Sequence, residues 1–159
     1  MSIWWSLHLR REAASVPLAR RLLVGAMETA GVDPETAYDL AVALSEACAN
    51  AVEHGGDSST GYRVTARIEG DTCRIEVIDS GPGFTKRPRP CERRPAHRRK
   101  RTPAAVHDEH GRGLFLIESL TDNVRVRNRP GHRGAVVSFD KILKWREGGP
   151  PPAALLRAS

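Results

Sequence analysis

The sequence predicts an α/β fold, a two-layer sandwich in which helices cover one face of a mixed, mostly antiparallel sheet. Three observations predict it. Helical periodicity is concentrated between Ser15 and His54, with one short helical stretch later. The strand-like segments come as two pairs, each joined by a turn, and one further alternating segment precedes the helices. A chain of 159 residues fits one domain able to bury roughly two thirds of its unfolded surface.

In chain order, Ile3 to Arg10 alternates, with Ile3, Trp5, Leu7 and Leu9 on one side, and reads as an edge strand. Ser15 is then the expected N-cap of a helix whose apolar positions are Val16, Leu18, Ala19, Leu22, Leu23, Ala26, Met27 and Ala30, with Gly31 as its stop. Asp33-Pro34 is a strong start signal: the carboxylate caps free N–H groups, and proline gives up a donor that would be unpaired anyway. This second helix runs to about His54, before Gly55-Gly56. Tyr62 to Glu69 and Thr72 to Asp79 form a hairpin across Gly70-Asp71. Leu114, Phe115, Ile117 and Leu120 suggest a short helix. Strands at Asn123 to Arg129 and Ala135 to Ile142 follow, joined across Pro130-Gly131. One domain is expected over 1–145, with 146–159 a flexible, proline-rich tail.

Composition excludes several function classes. No apolar stretch approaches the ~18 residues of a membrane span, and the basic residues of the N-terminus follow its apolar run instead of preceding it, unlike a secretory signal. A cytoplasmic protein is expected. The cysteines Cys48, Cys73 and Cys91 have no CxxC spacing and suggest neither a disulfide framework nor a zinc site. The net charge of +6 is concentrated between Lys86 and Arg101, which hold nine Lys or Arg against Glu92 alone, so the remainder is slightly acidic. This is one segment and not a helical face with interleaved aromatics, so direct nucleic-acid binding is not expected.

Three elements carry chemistry. On the second helix Glu46, Asn50 and His54 stack at i, i+4 and i+8 beside the apolar arc Ala37, Leu40, Ala41, Leu44, Ala47, Cys48, Ala51 and Val52. A carboxylate and a carboxamide one turn apart can present oxygens to a hard cation, or divide metal binding and base catalysis between them; in isolation they read first as a solvated polar face. Asp79-Ser-Gly81-Pro-Gly83 follows a strand, where an acid precedes glycines that allow tight turns and close approach to a ligand. His110-Gly111-Arg112-Gly113-Leu114 opens a helix, where free N–H groups favour phosphate. Neither a Walker phosphate loop nor a Rossmann fingerprint occurs.

Together and in this order, the three elements resemble the Bergerat-fold ATPases, the superfamily of gyrase B, MutL and the histidine-kinase catalytic domains. The resemblance covers about Ile3 to Ile142. The EAxxNAxxHG run from Glu46 and the small size are most similar to the anti-sigma-factor serine kinases. That resemblance implies ATP and Mg²⁺, with Asn50 as the metal ligand and Glu46 as the base that takes a proton from a partner's serine. Asp79 would read the adenine amine. His54, Gly81, Gly83, Gly111, Arg112, Gly113 and Leu114 would complete the nucleotide site, and Arg20 would contact the partner. It implies an anti-anti-sigma-type substrate, a sigma factor or related regulator as second partner, and a homodimer. A non-catalytic regulator using ATP only to set its conformation fits the same residues. The region of about 84–110 takes the place of the family's lid but is longer and far more basic. It reads as a clamp over the triphosphate, a dock for an acidic partner, or a disordered insertion.

Overall fold

The computed structural model describes residues 2–54, 61–80, 109–129 and 134–148, with the side chains of 109–112 left out. Gly81, Gly83, the basic segment up to 108, the Pro130-Gly131 turn and the tail after 148 lie outside the described residues.

The elements run β1 (Ser2–Arg10), α1 (Ser15–Ala30), α2 (Pro34–His54), β2 (Gly61–Glu69), β3 (Thr72–Ile78), α3 (Glu109–Leu120), β4 (Asn123–Asn128) and β5 (Ala135–Ile142). The sheet order is β1-β2-β3-β5-β4, with β1 at an edge as expected. All four pairings are antiparallel, so "mixed" reduces to antiparallel among the described residues. Gly70, at φ +56, takes the left-handed position of the β2–β3 turn.

The core lies between one sheet face and the helices. Leu9, Tyr62, Val64, Ala66, Ile68, Cys73, Ile75, Val77, Val137 and Phe139 point inward against Ala19, Leu23, Met27, Leu40, Leu44 and Ile117. The two-residue period of each strand leaves the other sheet face polar, with rows such as Trp4, Arg67, Arg74 and Asp140 side by side. No described helix is long and apolar enough to cross a membrane.

Helix boundaries follow local chemistry. Asp33 caps α2, its Oδ2 accepting from the Thr36 N–H at 3.1 Å, a contact of a type that contributes about 1 kcal/mol. Gly31, at φ +83, ends α1 in the left-handed conformation with its N–H turned back to the last turn's carbonyls. Ser15 does not cap α1. It is the first helical residue, and its hydroxyl donates to the Glu12 carbonyl at 2.7 Å. The single Ser15 proton is thereby used, so Tyr62 donates to Ser15 across their 2.6 Å contact. Leu18 and Leu22 are not in the core either: α1 packs on one stripe, and these residues are 42% and 44% exposed.

Cys48 and Cys73 are buried free thiols, and burial pushes both up to about 12, so they stay protonated and inert. The backbone is still tied down at Arg146, whose N–H donates to the Gly31 carbonyl at 2.9 Å.

On the polar sheet face Arg74 grips Asp140 with two parallel hydrogen bonds, 2.7 and 3.0 Å, across β3 and β5. Those bonds hold the Asp140 carboxyl below its ordinary range. A depressed carboxylate adds stability above its unfolded pKa of about 4, and that stability is lost as pH falls through the folded value. Asp140→Asn should therefore unfold at lower urea than the parent at pH 7, and the difference should narrow as pH falls below the unfolded pKa of about 4. A gap that does not narrow would show that the ion pair is not its source.

Candidate functional site

The second helix lies at the centre of its layer, packed on α1 along one side, on α3 along the other, and on β3 beneath. It therefore buries a wider arc than its periodicity predicts. Thr36 and Ala43 join the expected residues, and Val52 is only partly covered. Glu46 and Asn50 sit at the edge facing α3, half-buried. The residue opposite them is Gly113. A Cβ placed there would lie 3.4 Å from Glu46 Oε2, 3.4 Å from Asn50 Nδ2 and 3.5 Å from Asn50 Oδ1. The two glycine-bearing and carboxylate-bearing motifs, 60 or more residues apart in the chain, thus meet at one point.

The position of α3 is fixed at its other end by Lys141. Its ammonium donates to the Leu120 carbonyl at 2.8 Å and to Asp39 Oδ2 at 3.2 Å. A cation capping the C-terminal carbonyls and paired to α2 is favourable on both counts. The helix starts at Glu109, so Gly111 and Gly113 lie within it and not ahead of it. The unpaired N–H groups belong to its first turn, which contains Gly111 and Arg112. Gly113 lies past that turn, and its contribution is space above Glu46 and Asn50. Leu114 packs against the core, as does Ile117, whereas Phe115 is 71% exposed and does not belong to the buried face.

The far end of α2 is held by a residue that sequence reasoning missed. Arg11, just after β1, donates from Nε and Nη2 to the Val52 carbonyl at 3.0 and 2.8 Å. This capping arginine places the last turn of α2 beside the end of β1. Antiparallel pairing puts the start of β2 and the end of β3 at the same edge of the sandwich. Asp79, one residue beyond β3, therefore shares an edge with the helix end that carries Asn50 and His54. His54 is exposed there, with Nε2 3.3 Å from Glu53 Oε2.

Asp79 is held by β5. Its N–H donates to the Ala135 carbonyl at 3.0 Å, and its Oδ1 accepts from the Ala135 N–H at 3.1 Å. A carboxylate has further lone pairs for a ligand. The approach depends on Gly134, at φ +137, whose missing Cβ would clash with the Asp79 carbonyl. Gly134 was not anticipated, although a glycine directly before a β-branched strand was a visible signal. Arg20 stands apart from these groups on α1, with its guanidinium 5.9 Å from the centre of the Tyr38 ring.

A carboxylate and a carboxamide under a bare helix backbone, with an anchored acid at the same edge, suit a triphosphate nucleotide with a divalent cation. Among the described residues no group of three His, Cys, Asp or Glu could hold a metal unaided. A cation here would draw its remaining ligands from phosphate oxygens and water, which is the habit of Mg²⁺.

Comparison with known proteins decides the family. The pattern of the histidine kinase-like ATPase domain matches residues 9–141. The chain belongs to that family. It is 35% identical over 133 residues to the serine-protein kinase RsbW of Bacillus subtilis, covering 80% of this chain and 78% of the relative. It is 31% identical over 135 residues to RsbW of Staphylococcus aureus, covering 83% and 82%. Among solved structures, the RsbU and RsbW domains of Rv1364c from Mycobacterium tuberculosis superpose with a TM-score of 0.60 at 24% identity, over 87% of this chain and 32% of that one. The catalytic domain of histidine kinase ThkA gives 0.50 at 14% identity, over 89% and 99%. Both carry the same fold.

Two glycines separate space from stability in this ATPase domain. Gly134→Ala must displace the Asp79 backbone and should destabilise the fold by several kcal/mol, readable as a lower urea midpoint. Gly113→Ala fits at van der Waals distance and replaces a helix-interior glycine, so stability should hold or rise by up to about 1 kcal/mol. Nucleotide affinity should nevertheless fall, because the methyl group occupies the space above Glu46 and Asn50. Unchanged calorimetric affinity in Gly113→Ala would exclude that space from the site.

Proposed function

We propose that this protein is an ATP-dependent serine kinase of the cytoplasm that phosphorylates an anti-anti-sigma-type protein and thereby controls a sigma factor. The observation that carries the reading is the convergence of Glu46, Asn50 and Gly113, which brings a carboxylate, a carboxamide and a helix backbone bare of side chain to one point.

Adenine sits against Asp79, whose carboxylate accepts from the exocyclic amine. Guanine has a carbonyl in that place and would meet an acceptor with an acceptor. The first turn of α3 offers N–H groups from Gly111 and Arg112 to the phosphates, where the helix dipole favours negative charge. Asn50 offers its carboxamide oxygen to Mg²⁺, which when bound offsets the charge on the phosphates. Glu46 takes the proton from the serine hydroxyl as that oxygen bonds to the γ-phosphorus, and the bond to the departing ADP oxygen breaks. Gly81, Gly83, His54 and Leu114 complete the nucleotide's surroundings.

The partner is assigned to the outward face of α1. Leu18 and Leu22 are exposed there at i and i+4, Tyr38 of α2 is 60% exposed, and Arg20 lies over its ring. An apolar pair beside an arginine held on an aromatic has the composition of an interface hot spot.

Glu46→Gln keeps size and hydrogen-bonding shape but removes the base, so it should bind ATP normally while transfer of label from ATP to the partner falls by about 10² or more. Undiminished transfer in this variant would remove Glu46 from the role of base. A parent chain that binds ATP but moves no label would favour the non-catalytic regulator. GTP should bind roughly ten- to a hundred-fold more weakly than ATP, the cost of a lost charge-assisted hydrogen bond of about 1.5 to 3 kcal/mol.

A further inference from the structure

The sheet face turned away from the helices contains a second concave site. At the edge where β1 and β3 end and β2 begins, His8, Arg63, Ile78, Ser80 and Arg129 line a pocket of about 280 Å³ together with Leu9, Gly61 and Tyr62. The pairing register explains the gathering. His8 stands opposite Arg63, and Arg63 opposite Ile78, so their side chains share one row of the outer face.

Arg129 enters from the far side of the sheet. It lies one residue beyond β4, and its N–H donates to the Gly134 carbonyl at 3.1 Å. A Cβ on Gly134 would come within 2.9 Å of Arg129 Cδ. The same bare glycine that admits Asp79 thus lets the arginine stem pass close over the β5 backbone toward Ser80.

The electrostatics of this pocket are one-sided. Its lining contains two guanidinium groups and an imidazole and no carboxylate. Among the described residues the side chains of His8, Arg63 and Arg129 have no hydrogen bond or ion pair. The acid one row along, Glu76, is 3.9 Å from Arg127, and Asp140 is taken by Arg74. Most other arginines of this face are matched: Arg67 pairs with Glu69, Arg74 with Asp140 and Arg127 with Glu76. At this concavity the guanidinium groups meet no acid in the lining, whereas the next pocket along the same face sets Arg74, Arg125 and Arg127 against Glu76 and Asp140.

We infer that this pocket is an oxyanion subsite for a phosphate group, free or carried on an ester. Two arginines present planar donor forks suited to tetrahedral oxyanions, and a dianion balances both where a carboxylate would balance one. Because Ser80 follows Asp79 directly, the subsite touches the same turn as the nucleotide site but from the opposite face of the sheet. It requires neither Glu46 nor Asn50, so it stands or falls separately from the kinase reading.

The test uses the full ¹⁵N-labelled chain at low ionic strength, titrated with inorganic phosphate and, separately, with O-phosphoserine, with ADP and Mg²⁺ at saturation. Saturable shifts of the Arg63 and Arg129 Nε–H signals and of the Ser80 amide are expected. In the Arg63→Gln, Arg129→Gln double variant the Ser80 response should weaken about ten-fold or more while ATP affinity stays unchanged. Tighter binding of O-phosphoserine would assign the site to an ester-borne phosphate, and equal binding to the free anion. Should the double variant fold poorly, Arg63→Gln alone, at an exposed and unpaired side chain, gives the same reading. Shifts that never saturate, or a Ser80 response equal in parent and variant, would overturn the subsite.

Discussion

How closely α3 can approach α2 governs the candidate site. Two helices normally pack with axes 8 to 10 Å apart, set by the side chains between them. At Gly113 there is no side chain, and the α3 backbone comes to the edge of Glu46 and Asn50. The approach is held at the far end by Lys141, bonded to the last carbonyl of α3 and to Asp39 of α2. Arg11 holds the α2 terminus through Val52. A pair of polar side chains that would otherwise be an ordinary solvated edge is thereby placed beneath a helix start with unpaired N–H groups. Without that contact the same residues carry no chemistry beyond solubility.

The second constraint is at the sheet edge. A strand ending in an acid is common, but here Asp79 extends the β3–β5 ladder by one step through its own side chain, which accepts from the Ala135 N–H. Anchoring the carboxylate to backbone fixes its direction before any ligand arrives, which lowers the ordering cost of binding. Gly134 makes the anchor feasible by keeping the space over the Asp79 carbonyl empty.

Much of this was legible in the sequence because period and punctuation are local signals. Asp33-Pro34, Gly31 and Gly70 marked boundaries that the structure keeps, and each strand's alternation gave its buried face. Glu46, Asn50 and Gly113 were readable as motifs, and their meeting only through the family resemblance, since it depends on how α3 lies across α2. Leu18, Leu22 and Phe115 keep the helical period that marked their helices yet stay exposed, because periodicity marks an apolar stripe without giving how much of it is covered. Ser15 looked like a cap by residue type, yet its hydroxyl serves Glu12 and Tyr62. Arg11 left almost no local trace, and Gly134 showed only that a strand follows, because their partners, Val52 and Asp79, are more than 40 residues away.

Strand geometry also explains why the two sides of the sandwich can have separate chemistry and still be linked. Successive residues of an extended chain face opposite sides of the sheet. Asp79 is bound to the β5 backbone at the helix-covered edge, and Ser80, its neighbour, lines the cationic pocket on the open face. One peptide bond therefore joins the two concavities, and Gly134 is used by both, since the space its missing Cβ leaves is shared by the Asp79 carbonyl and the Arg129 side chain. A side chain at that one position would disturb both faces at once, whereas changes at Glu46 or at Arg63 would each be confined to one. The fold thus brings its two concavities together in a short stretch of backbone at the end of β3, where the Asp79–Ala135 bonds carry the ladder one step further.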